Sequence, residues 1–296
     1  MALLVLVMLF WAGNSIVGRA VAGEVPPLTL AFIRWTGALA ILAPFAIGPL
    51  RRDWPTIKIR WKPVLLLGLL GVGAFNALLY SGLQYTTAAN ALLLQAAIPG
   101  AVLVLDRLVY AQRSGSLQVA GTIASIAGVV FIAFQGDVGK ALSLHLGKGD
   151  ALVLAAVAVW SLYTVFLRLR PKVAPTSFVA ATFAIGVLAM APLALWEWHD
   201  GLRIVWSLKT ILALVYVAVF PSLLSYFIYN QAAAQLGAAR AGQSITMMPV
   251  FGALLSAPLL GEPLQAYHAV GMGLICLGIA LGIWALRRQQ AGGAPA

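Results

Sequence analysis

Asn14, Ser15 and Gly18 recur at three- and four-residue steps beside Trp11, which puts an amide, a hydroxyl and an indole on one stripe of a helix. Trp160, Tyr163, Thr164 and Leu167 form a matching stripe later in the chain, and Asn76, Tyr80 and Gln84 follow i, i+4 steps. Ser222, Ser225, Tyr226 and Tyr229 share a further face, Gln95 interrupts an apolar run, and Gln243, Ser244, Met247 and Met248 group together. These are neutral donors and acceptors beside flat rings and soft thioethers, so they suit holding a small neutral or zwitterionic solute. Two readings stand for each stripe: packing glue between helices, or the wall of a wet cavity. The expected substrate-binding set is Asn14, Asn76, Tyr80, Gln95, Trp160, Tyr163, Ser225, Tyr229, Gln243 and Ser244.

Pro99 and Pro249 fall near the middle of two apolar runs, where a proline removes a backbone hydrogen bond and frees the carbonyl four residues earlier. They are the expected hinges, with a static kink as the alternative. The acids Glu24, Asp53, Asp106, Asp137, Asp150, Glu197, Asp200 and Glu262 all map to the ends of apolar runs or to connections, as do the three histidines. A proton relay at membrane depth therefore has no carrier, and neither a metal site nor a catalytic constellation is expected. Arg34 lies only a few residues into its run, so its long stem is expected to carry the guanidinium outward to water, with Glu24 or a substrate carboxylate as the alternative partner.

The elements that position these groups follow from the composition. The chain has 296 residues, 62% of them apolar and only 9% charged, which excludes a water-soluble globule. One bilayer crossing takes about 20 apolar residues. Ten runs of this kind can be read: Ala2–Val21, Leu28–Leu50, Pro63–Leu83, Ala89–Leu108, Leu117–Phe134, Ala151–Leu167, Thr176–Trp196, Leu208–Ile228, Ala239–Leu260 and Gln265–Leu286. The first has no basic region before it and no small-residue cleavage site, so it is expected to be a retained membrane helix. A net charge of +11 reads here as positive cytoplasmic connections, not as nucleic-acid binding. The single cysteine, Cys276, is expected to be a buried packing thiol.

Sliding the second half by 149 to 150 positions lays Trp11 on Trp160, Ser15 on Thr164, Arg19 on Arg168, Gly37 on Gly186, Pro99 on Pro249, Gly121 on Gly271 and Gly128 on Gly278. Five helices per half is an odd number, so the second half must run through the membrane in the opposite sense. The expected fold is all-α and integral to the membrane, with ten transmembrane helices in two inverted-topology five-helix repeats. The units are residues 1–137, a connection over 138–149, residues 150–288 and a tail over 289–296. Thirteen Lys and Arg fall in one set of connections (51 to 62, 107 and 113, 168 to 172, 240, and 287 and 288) against Lys140, Lys148, Arg203 and Lys209 in the other, which predicts both termini in the cytoplasm.

The stretch from Pro249 through Gly252, Pro258 and Gly261 to Glu262 and Pro263, followed by Gly271 and Gly278, resembles the closing motif of an EamA domain of the drug/metabolite transporter superfamily. The first half repeats it from Pro99 through Gln112 to Gly121 and Gly128, and Phe10-Trp11-Ala12-Gly13-Asn14 is similar to the opening of the family's first helix. Gln112 replaces the acid that the family carries after the fourth helix. The early aromatic helices look most like the YddG-type exporters of aromatic and other neutral amino acids. The resemblance implies a plasma-membrane carrier, not an enzyme, working by alternating access without a cofactor. Its partners would be a small-molecule substrate, amino acids first, and the lipid bilayer. Carriers of nucleotide sugars, phosphorylated metabolites or quaternary ammonium drugs stay open within the superfamily, and an intramembrane enzyme is the rival from another class. The oligomeric state is left open, a monomer being compatible with all of this.

Overall fold

A computed structural model describes residues 2–112, 115–134, 147–237, 241–242, 244–260 and 266–291. Among these residues helix is the regular structure, and there is no strand. The helices are α1 (Ala2–Ala20), α2 (Pro27–Ile59), α3 (Trp61–Leu67), α4 (Phe75–Leu83), α5 (Ala88–Gln95), α6 (Ile98–Tyr110), α7 (Ser116–Ala133), α8 (Lys148–Phe166), α9 (Pro175–His199), α10 (Leu208–Ala218), α11 (Ser225–Leu236), α12 (Met248–Leu260) and α13 (Ala266–Ala291). Among the described residues, seven helical stretches are long and apolar enough to cross a bilayer, from Leu3–Ala20 to Leu208–Leu236, and the shorter Ser116–Gly128 and Ala269–Gly282 are apolar too. Phe45, Leu108 and Leu188 point outward, more than two-thirds exposed, as a lipid-facing surface requires. Cys276 also lies exposed, where a buried thiol was expected.

Pairs of helices are locked by specific devices. Pro27 opens α2 with a backbone φ already set for a helix. The free N–H groups of that first turn are taken by Glu197 from the far end of α9, at 2.9 Å to Leu28 N and 2.7 Å to Thr29 N. At the opposite end, Asp53 of α2 accepts from Ala174 N at 2.8 Å and Ser177 Oγ at 2.7 Å, where α9 begins. Each of these antiparallel helices thus caps the other, an anion against the positive end of a helix dipole. The second pair, α7 and α13, is held by close approach: a Cβ on Gly121 would lie 2.6 Å from Gly278 O, and one on Gly128 would lie 2.5 Å from Gly271 O. No side chain fits at those crossings.

Three run boundaries differ from expectation. The second run does not stop near Leu50. Its helix continues to Ile59 through Pro44, Pro49 and Pro55, because Asp53 is fastened to α9 and Ile57 is buried. The fourth run is not one kinked helix. It breaks at Ala96 and Ala97, and Pro99 stands in the first turn of α6, where its missing N–H costs no helical bond. Pro249 likewise opens α12, after a 3₁₀ turn over Ser244–Met247. Both prolines therefore mark starts of helices and not mid-helix kinks.

Candidate functional site

Two π-helical segments prepare the site, Gly68–Ala74 between α3 and α4 and Val219–Leu224 between α10 and α11. A π segment widens the turn, takes carbonyls off the regular ladder and recurs at functional positions. Gly71 O accepts from the Tyr226 hydroxyl, and Pro221 O accepts from Trp11 Nε1 at 2.9 Å and from Arg34 Nη2 at 3.2 Å. Pro221 cannot donate to Val217 O, and Ser222 Oγ takes that carbonyl instead at 2.5 Å.

Arg34 is the polar centre. Its side chain is 1% exposed, and it donates to Ser222 Oγ (2.5 Å), Asn76 Oδ1 (2.8 Å), Tyr80 OH (2.6 Å) and Asn14 Oδ1 (3.1 Å) as well as to Pro221 O. The Tyr80 hydroxyl in turn donates a hydrogen bond to Asn14 Oδ1 at 2.7 Å. The expected outward course of Arg34 is therefore wrong: five acceptors from α1, α4 and the second π segment hold the guanidinium inside. Glu24, the carboxylate offered as its partner, pairs with Lys209 at 2.6 Å.

An aromatic wall stands beside this centre. Trp160 meets Trp11 edge-on, with centroids 5.1 Å apart and planes at 85°, and it packs within 4.7–5.7 Å of Phe75, Tyr163, Tyr226 and Tyr229. Between the wall and Arg34 runs a narrow cleft of about 20 Å³, lined by Trp11, Asn14, Arg34, Phe75, Leu79, Gln95, Ile98, Trp160, Tyr226, Ile245 and Met248. In the conformation described it is closed down to room for about one water molecule.

Of the ten expected residues, Asn14, Gln95 and Trp160 line the cleft itself. Asn76 and Tyr80 reach it through Arg34. Tyr163 and Tyr229 stand behind Trp160, tied to Asn230 Oδ1 at 2.7 Å and to Thr164 Oγ1 at 3.2 Å. Ser225 and Ser244 turn their hydroxyls onto backbone carbonyls, Phe220 O and Ala241 O, and are not in the lining. Gln243 lies outside the described residues. Missed in the sequence were the central place of Arg34, the inward indole of Trp11, and the carbonyls of Gly71 and Pro221.

A model of the EamA-like transporter family matches residues 1–134 and again residues 147–284. The chain belongs to that family. An uncharacterized transporter, YyaM, of Bacillus subtilis is 27% identical over 73% of this chain and 70% of its own. An uncharacterized transporter of Archaeoglobus fulgidus is 27% identical over 94% of this chain and 95% of its own. A protein of Salmonella typhimurium described as a probable amino-acid metabolite efflux pump is 27% identical over 97% and 96%. A solved crystal structure superposes with a TM-score of 0.71 at 19% identity, covering 97% of each chain, which shows the fold alone. The EamA-like chain is thus a multi-span membrane transporter of metabolites.

Proposed function

We propose that this EamA-like protein exports small neutral or zwitterionic metabolites, aromatic and other neutral amino acids first, by alternating access in the plasma membrane. The observation that carries the reading is the cleft: a buried polar centre on one side and an aromatic wall on the other, with both halves of the chain contributing to each. Such a site matches a solute with a charged head and a flat or apolar body. The probable efflux function of the Salmonella typhimurium relative supports the same substrate class. The two family matches, and the two π segments lying about 150 positions apart, favour two inverted five-helix units over residues 1–137 and 150–288 and hence ten crossings. The uneven Lys and Arg distribution favours cytoplasmic termini.

The test is a flux screen in proteoliposomes with labelled phenylalanine, a nucleotide sugar and a quaternary ammonium compound. Intact phenylalanine is expected to move and the other two to stay. Movement of either of the others without phenylalanine overturns the substrate reading, and a chemically altered product overturns the carrier reading. For topology, single cysteines replacing Lys58 and Gly201 in a Cys276→Ser background should be labelled from opposite faces. Labelling of both from one face rejects the inverted arrangement.

A further inference from the structure

Arg34 has hydrogen-bond acceptors in plenty and no counter-charge. All of its partners, Asn14, Asn76, Tyr80, Ser222 and Pro221 O, are neutral, and its guanidinium carbon lies 4.6 Å from the Trp35 ring centroid. A guanidinium keeps its proton in proteins, so a full positive charge is buried here with no carboxylate partner among the described residues. The described acids nearest in role are already committed: Glu197 and Asp53 to helix starts, Asp106 to Arg168 at 2.5 Å and Glu24 to Lys209. Nη2 has two N–H groups and a single partner, Pro221 O at 3.2 Å, and Arg34 lines the cleft. No carboxylate is among the cleft's lining residues.

We propose that Arg34 is the anion anchor of this site, so that a carboxylate is what the substrate must bring and an α-ammonium is optional. A charged donor to an anion is in place, whereas a positive head group would meet only neutral acceptors and the like charge of Arg34. The substrate class is then a monocarboxylate with an aromatic or apolar body, of which neutral amino acids are one kind. This rests on reading the cleft as the transport site. It goes further in stating which end of the substrate is obligatory.

The test uses the native protein with two fragments of phenylalanine: 3-phenylpropionate, which keeps the carboxylate, and phenethylamine, which keeps the amine. In competition with labelled phenylalanine flux, the acid is expected to inhibit within about tenfold of unlabelled phenylalanine and the amine to be at least about a hundredfold weaker, as a buried charge contact allows. Arg34→Gln, assayed per folded molecule, should lose the discrimination, and Arg34→Lys should retain part of it. An amine that competes as well as the acid, or an acid without effect, overturns the anchor. If labelled phenylalanine does not move at all, the amino-acid reading falls and the anchor is judged by thermal stability of the purified protein. Stabilisation by 3-phenylpropionate and not by phenethylamine then supports it, and stabilisation by the amine or by neither rejects it.

Discussion

The two halves of the chain build the same contact with its members exchanged. In the first half Tyr80 of α4 donates to Asn14 of α1, and in the second Tyr163 of α8 donates to Asn230 of α11. Asn14 and Tyr163 occupy matching places under the repeat, as do Tyr80 and Asn230. What differs is the neighbour supplied by the long helix of each half. Arg34 of α2 inserts a charge into the first contact, whereas the matching position in α9 is Phe183, fully buried against Trp35 and Tyr226. The same tyrosine-to-asparagine contact thus stands beside a charge in one half and beside an aromatic ring in the other.

The largest expected effect comes from that charge. Arg34→Gln should lower transport per folded molecule by at least about thirtyfold, because removing one side of a buried charge contact costs ~2–5 kcal/mol. Phe183→Leu should leave transport within about threefold, since it changes packing alone. Equal losses would mean that the charge is not what separates the halves. Next in size is the hydroxyl pair. Tyr80→Phe removes a contact to a charged group as well as one to Asn14 and should destabilise by about 2 kcal/mol, against about 1 kcal/mol for Tyr163→Phe. Unfolding measurements in detergent would show the ranking, and a reversed order would mean that the charge adds nothing to the Tyr80 contact.

Trp160→Leu removes a ring at nearly constant polarity and should reduce phenylalanine flux by roughly threefold to tenfold, from the 0.5–1.5 kcal/mol that a ring pair adds to burial. Threonine flux should fall less, and an equal fall for both substrates would make Trp160 a packing residue of the second half only. The smallest effects belong to the caps. Glu197→Gln and Asp53→Asn should each lower the melting temperature slightly. Their double variant should show the sum, because the two caps sit at opposite ends of α2 and α9.

Spacing alone makes the polar stripes visible, and Asn14, Asn76 and Tyr80 do meet at one place. It cannot tell a hydroxyl facing a cavity from one folded back on its own helix, which is why Ser225 and Ser244 looked no different from the lining residues. Depth along a helix misplaced Arg34: counting residues from the end of a run measures distance to water, but not the five acceptors that neighbouring helices would bring. The carbonyls of Gly71 and Pro221 belong to the backbone and leave no side-chain signature. Their only signals were the Gly68, Gly71 and Gly73 cluster and a proline inside the eighth apolar run. Family membership was legible in the glycine and proline pattern that pairs Gly121 with Gly278 and Gly128 with Gly271 in space.

The mutual caps between α2 and α9 have a mechanical consequence. A rod fastened at one end can slide or swing, but two rods each fastened to the other at opposite ends resist displacement along their common axis in both directions. The pair therefore behaves as a stiff strut whose ends stay in register while the rest of the molecule is loaded. Under the proposed alternating access, travel would then fall to other places, such as the widened turns at Gly68–Ala74 and Val219–Leu224 and the break between α5 and α6. Arg34, carried by the strut, would be the stationary post of that cycle.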